Sequence, residues 1–155
     1  MGKEFVKKHK SFIEDTPDLL RYFEEINENK SLPANCKPIA LDLKSMYSNI
    51  PTEEGLEAFR KELEKRDDKT IPTDFLIKLL RLVLESNVFE FNTEFWIQLL
   101  GTAMGTRAAP TYANIFMNWL ETEMLENCPD HLKTLIFDWK RFIDDILLLF
   151  LGTYE

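Results

Sequence analysis

The sequence predicts an α+β fold, and three observations carry that reading. Apolar residues recur at helical spacing in four separate stretches, short apolar runs bounded by turn residues read as strands, and no repeat or low-complexity tract interrupts the mixture. The chain has 155 residues, enough for one domain with its own core. Twelve phenylalanines make that core rich in aromatic rings.

In chain order, a basic opening (Lys3, Lys7, Lys8, Lys10) leads into an acidic amphipathic stretch over residues 12–29, in which Leu19, Leu20, Phe23 and Ile26 recur at helical spacing. Thr16-Pro17 predicts its cap, with proline at the first helical position. Residues 31–38 carry two prolines and an asparagine and read as a loop. Residues 38–43 read as a short buried strand containing a single acid, Asp42. Thr52 predicts the N-cap of a charged helix to about Arg66, with Glu53 and Glu54 in its first turn. Pro72 starts a helix to residue 87 whose Phe75, Leu76, Leu79, Leu80, Val83 and Leu84 form a broad apolar face. Val88-Phe89-Glu90-Phe91, the polar pair Asn92-Thr93 and Glu94-Phe95-Trp96 predict a hairpin. A glycine-bounded loop, Gly101 to Gly105, precedes a helix over 109–126, and two strands near 134–143 and 145–151 flank Asp144-Asp145.

The net charge of −8, from 27 acidic and 19 basic side chains, argues against a free-standing nucleic-acid binder, which presents a basic face. Cys36 and Cys128 are isolated, so the sequence predicts reduced thiols and an intracellular setting. His9 and His131 lack metal-ligand spacing and read as structural or exposed. The opening has no apolar stretch of signal-peptide type, and the apolar run 146–151 is too short to span a bilayer, so no membrane role is expected. The abrupt end at GTYE reads as a segment of something larger.

Asp42 and Asp144-Asp145 stand in apolar surroundings, where charge is costly unless paired, neutralised or metal-bound. Asp67-Asp68 is the internal control, because its neighbours are charged and it reads as a solvated turn. If the two regions are adjacent strands, three acids converge, and their mutual repulsion is relieved by magnesium, which takes a few carboxylates together with substrate phosphates. Spacing alone leaves the alternative open: a hairpin turn that happens to read Asp-Asp, with Asp42 as a strand-end cap.

Three segments in fixed order add to this. Ala40-Leu41-Asp42-Leu43-Lys44-Ser45-Met46-Tyr47-Ser48-Asn49-Ile50-Pro51 resembles the first palm motif of reverse transcriptases of the Penelope-like retroelement class, which is related to telomerase. Gln98-Leu99-Leu100-Gly101-Thr102-Ala103-Met104-Gly105-Thr106-Arg107-Ala108-Ala109-Pro110-Thr111-Tyr112-Ala113-Asn114 resembles their second motif. Arg141-Phe142-Ile143-Asp144-Asp145-Ile146 resembles the third, with Phe142 for the more usual tyrosine and Ile143 bulkier than alanine.

The resemblance implies a polymerase palm, a small antiparallel ferredoxin-like sheet backed by helices. It implies Asp42, Asp144 and Asp145 as catalytic metal ligands, with the Leu43 carbonyl as a further ligand, for two Mg²⁺ ions that Mn²⁺ can replace. Tyr47 falls at the steric gate against a ribose 2′-hydroxyl, with a buried core ring as its plainer reading. Met104, where many relatives carry glutamine, and Gly105 would meet the incoming nucleotide, and Arg107 and Phe142 the template and primer. The implied function is RNA-directed DNA polymerisation, with RNA template, DNA primer and deoxynucleoside triphosphate as partners and a nuclear parent protein. Residues 1–37 would be a partial fingers side and 38–155 one compact palm core, inactive alone and able to self-associate through surfaces that normally meet fingers and thumb. The rival is a non-catalytic interaction module derived from such a palm.

Overall fold

The computed structural model describes residues 2–29 and 32–152. Its elements are α1 (Gly2–Val6), α2 (Thr16–Glu28), β1 (Cys36–Asp42), α3 (Met46–Asn49), α4 (Thr52–Glu64), α5 (Thr73–Glu85), β2 (Val88–Phe91), β3 (Glu94–Ile97), α6 (Ala109–Asn127), α7 (Asp130–Lys133), β4 (Ile136–Phe142) and β5 (Asp145–Leu151). The fold is α+β, with small antiparallel sheets, as the sequence predicts. The chain forms two compact units, one from residues of Met1–Val6 and Ser45–Leu120, the other from the described residues of Lys7–Lys44 and Glu121–Glu155. The boundaries between the units fall after Val6, Lys44 and Leu120. Ser31 of that loop and residues 153–155 of the tail lie outside the described residues.

The second unit holds a three-stranded antiparallel sheet in the order β1-β5-β4. β5 is central, which suits its apolar run: Ile146 and Leu149 are buried and Leu147 and Leu148 half-buried. β1 is an edge strand, and this corrects the expected buried strand: Leu41 and Asp42 are exposed. An edge also explains how Pro38 sits within a strand, since a residue without an N–H is tolerated there. Along β4 alternate side chains serve opposite faces. Asp138 accepts a hydrogen bond from the Tyr22 hydroxyl of α2 at 2.6 Å, and Lys140 lies 4.8 Å from that ring's centre. Trp139 and Arg141 turn the other way, to Glu121 near the end of α6. Burial, reinforced by Asp138, pushes the Tyr22 phenol far above its ordinary range, so it acts as a fixed donor.

Three helix starts differ from expectation by one residue, among them α5, where Pro72 stands in the cap position and Thr73 is the first helical residue. Asp15, not Thr16, caps α2, its carboxylate accepting from the Asp18 N–H at 2.9 Å, and Pro17 follows within the first turn. Pro51 precedes α4 in the cap position without a side-chain bond, so Thr52 is already helical.

The first unit contains α3, α4, α5, the β2–β3 hairpin and most of α6. Leu56, Leu63, Ile77, Leu80, Leu84, Tyr112, Ala113, Ile115 and Phe116 form its core. Gly55 of α4 is required there, because a Cβ would fall 1.9 Å from the Tyr112 hydroxyl. The broad apolar face of α5 is only partly buried: Phe75, Leu79 and Val83 are exposed. The β2–β3 hairpin is exposed along both strands.

Candidate active site

β1 and β5 pair so that Asp42 stands directly opposite Asp145, the last residue of one strand against the first of the other. Phe142 of β4 is the partner of Asp145 on its other side. The row Phe142, Asp145, Asp42 therefore crosses all three strands, and cross-strand partners project from one face of a sheet. Asp144 lies in the two-residue turn between β4 and β5, and its carbonyl accepts a hydrogen bond from the Leu43 N–H at 3.0 Å. One backbone bond thus ties the residue after Asp42 to the residue before Asp145. Asp42 and Asp145 are exposed and Asp144 half-buried.

Among the described residues no three His, Cys, Asp or Glu side chains form a group that could hold a metal ion. Two exposed carboxylates side by side, with a third next in sequence, supply the hard oxygen donors that Mg²⁺ takes when substrate phosphates and waters complete its shell.

The turn itself is strained. Ile143 has φ +55°, and of the turn's two residues only it has positive φ, the pattern of a II′ hairpin turn that favours glycine. A β-branched residue in that region is a genuine outlier. Beneath it lies a buried network that the sequence reading passed over. The Arg141 side chain is fully buried, its Nε donating to Glu121 Oε1 at 2.6 Å and its other guanidinium arm to the Ile143 carbonyl at 2.9 Å. Trp139 Nε1 donates to the same Glu121 oxygen at 3.0 Å, and Ser11 Oγ to the other at 2.7 Å. The Arg141 backbone is held as well, its N–H donating to the Ser11 carbonyl at 2.6 Å and its carbonyl accepting from Ile13 at 2.9 Å. The sequence carries no clear signal for this network, since Glu121 stands near Glu123 and Glu126, and Arg141 next to Lys140 and close to Asp138 and Asp144.

The other predicted site residues belong to the first unit. Tyr47 is half-buried in α3, and its carbonyl accepts from the Thr102 N–H at 2.7 Å. The Gly101 N–H donates to the Ile50 carbonyl at 3.0 Å. Gly101 has φ +72°, and a Cβ there would fall 2.1 Å from the Tyr47 carbonyl oxygen. Its lack of a side chain therefore serves contact with its own chain. Gly105 has φ +97° and open space where a Cβ would stand. Met104 is 82% exposed, and Arg107 is exposed. Cys36 and Cys128 are free thiols, and His131 is exposed. No helix among the described residues is long and apolar enough to cross a membrane.

Residues 4–155 match the family described as reverse transcriptase (RNA-dependent DNA polymerase). No curated protein sequence matches the chain. Among solved structures it is similar to apo telomerase from Candida tropicalis truncated from its C-terminal domain, at 11% identity and TM-score 0.72 over 98% of this chain and 33% of that one. Telomerase from Candida albicans in complex with a TWJ fragment of telomeric RNA gives 11% identity and TM-score 0.73, over 97% and 29%. The Candida tropicalis enzyme with the corresponding RNA fragment gives 13% and 0.71, over 97% and 27%. At such identities the likeness is one of fold, and the chain spans a third or less of those proteins.

Proposed function

The chain belongs to the reverse transcriptase family, and on that premise we propose that it is the palm core of an RNA-directed DNA polymerase of the Penelope-like retroelement class. The observation that carries the reading is the pairing of Asp42 with Asp145 across β1 and β5, with Asp144 in the adjoining turn. Asp42, Asp144 and Asp145, with the Leu43 carbonyl, hold two Mg²⁺ ions, which Mn²⁺ can replace. Such ions lower the cost of deprotonating a primer 3′-hydroxyl and offset charge developing on the phosphates. The aspartates fix where that charge is met, since in-line placement and charge stabilisation do most of phosphoryl-transfer chemistry. Tyr47 stands against the ribose 2′-position, Met104 and Gly105 meet the nucleotide, and Arg107 and Phe142 contact template and primer.

RNA template, DNA primer and deoxynucleoside triphosphate are the partners of the full-length protein, which acts in the nucleus. Two of the similar telomerase structures carry RNA, which supports a nucleic-acid partner. The acidic 155-residue chain alone extends primers poorly or not at all, because phosphate affinity has to come from basic surfaces. The exposed apolar residues of α5 and the β2–β3 hairpin support contacts with further protein, including self-association.

The test is primer extension by the full-length protein, with deoxy- and ribonucleotides compared. Asp144→Asn is expected to lower the rate by at least about a hundredfold, more than the loss of an outer-shell partner of a metal site. Unchanged extension by that variant would sink the enzymatic reading and leave the interaction module.

A further inference from the structure

We propose that Arg141 is a positioning residue for the aspartate turn, and that its buried pair with Glu121 exists to hold that turn in a conformation its own sequence disfavours. The inference rests on the polymerase reading for its consequence in catalysis, but its structural half stands alone.

The turn cannot be explained locally. Hairpins of this length favour glycine, asparagine or aspartate where φ is positive, and Ile143 is none of these. A strained residue persists where its surroundings over-determine it. The surroundings here are specific. Arg141 sends one guanidinium nitrogen to Glu121 and another to the carbonyl of Ile143, the peptide that leads directly into Asp144. Glu121 is fixed in turn by Trp139 and Ser11, so the guanidinium has little freedom to swing. On the far side of the turn, the Leu43 N–H holds the Asp144 carbonyl. Peptides on both sides of Asp144 are therefore clamped, one by a buried side chain and one by β1's continuation.

A buried ion pair is an expensive way to gain stability, since an apolar pair of similar volume often serves as well. What an apolar pair cannot supply is a donor for the Ile143 carbonyl. Arginine suits this better than lysine, because its planar fork sets donors on separate nitrogens in fixed directions, where lysine has a single nitrogen. The arrangement is the kind of supporting shell that holds functional groups to within a fraction of an ångström.

The experiment is hydrogen exchange on the 155-residue chain, paired with primer-extension kinetics of the full-length protein. Arg141→Lys keeps the charge opposite Glu121 but removes the separate nitrogen that donates to the Ile143 carbonyl. Its sheet-core amides should exchange nearly as in the parent, while the Leu43 and Asp145 amides lose protection by about tenfold or more, as local opening does. In the full-length protein kcat should fall by about ten- to a hundredfold with KM for the deoxynucleotide little changed, since misplacement of reacting groups of about 1 Å has effects of that size. Turn amides as protected as in the parent would overturn the proposal and make the pair a purely structural one. If Arg141→Lys does not fold, Glu121→Gln decides by the same two readouts, because it keeps an acceptor for Nε while releasing the charge that pins the guanidinium. Unchanged extension by Asp144→Asn would instead remove the polymerase reading and leave the exchange result to judge the clamp.

Discussion

Among the described residues two hairpins close with two-residue turns, and they are built by opposite means. The β2–β3 turn is Asn92-Thr93, with φ +57° and +66°, both positive as a I′ turn requires. Asparagine tolerates that region, the flanking strands are exposed, and the Thr93 hydroxyl bonds only to the carbonyl of its neighbour. The β4–β5 turn places Ile143 at φ +55° and is held by Arg141 from a fully buried position. The first turn is local chemistry, and the second is imposed from a distance. A conformation that needs a buried scaffold survives where the position of the chain matters more than its ease. Here that position is the peptide before Asp144.

The sharpest way to break the comparison is Arg141→Met. Removing one partner leaves the Glu121 carboxylate buried without its counter-charge, which costs about 3–5 kcal/mol. Urea unfolding of the 155-residue chain should register that loss as a lower midpoint. A loss below about 1 kcal/mol, the size of an exposed pair, would mean the network is far more hydrated than its burial implies.

The same contrast explains what could be read in advance. The β2–β3 hairpin was legible because its turn residues and strand residues lie together in sequence. The β4–β5 hairpin was legible only through the two apolar runs on either side of Asp144-Asp145, not through its turn, where Ile143 gives no signal. The pairing of Asp42 with Asp145 followed once two apolar runs became neighbours. What stayed hidden depends on groups far apart in the chain: the edge position that leaves Asp42 exposed, the Glu121–Arg141 pair, and the use of Gly101 to clear the Tyr47 carbonyl. Periodicity reports which face is apolar, not which face is covered, so the exposure of Phe75, Leu79 and Val83 on α5 was equally invisible.

Glycine exchanges in the two turns sharpen the comparison at smaller cost. Thr93→Gly relieves a left-handed conformation worth about 1–2 kcal/mol, against about 0.5–1 kcal/mol of extra backbone entropy. The side chain is exposed, so little burial is lost, and β2–β3 amides should gain protection. Ile143→Gly receives the same relief but gives up a half-buried side chain, and should leave overall stability within about 1 kcal/mol of the parent. Ile→Gly at an ordinary buried position costs several times that. A loss of about 3 kcal/mol or more at Ile143 would show that the turn is not strained and that packing, not the Arg141 clamp, decides its shape.

The smallest effect belongs to another device of the local kind, the start of α2. Asp18 accepts a hydrogen bond from the Glu14 N–H at 3.0 Å and another from Arg21 at 3.2 Å, and its own N–H donates to Asp15. The backbone bond from Glu14, with Arg21 beside it, holds the Asp18 carboxyl below the usual carboxylate range. The sign follows from linkage. A carboxyl that binds protons less tightly folded than unfolded adds stability above its unfolded value, about 3.9, and loses it as pH falls through the folded one. Asp18 is half-buried and its Arg21 partner exposed, so screening leaves only a few tenths of a kcal/mol. Acid titration followed by α2 amide exchange should show protection declining below about pH 4 in the parent, with a shallower decline in Asp18→Asn. An equal slope in both would mean that the acid sensitivity of this helix does not arise at Asp18.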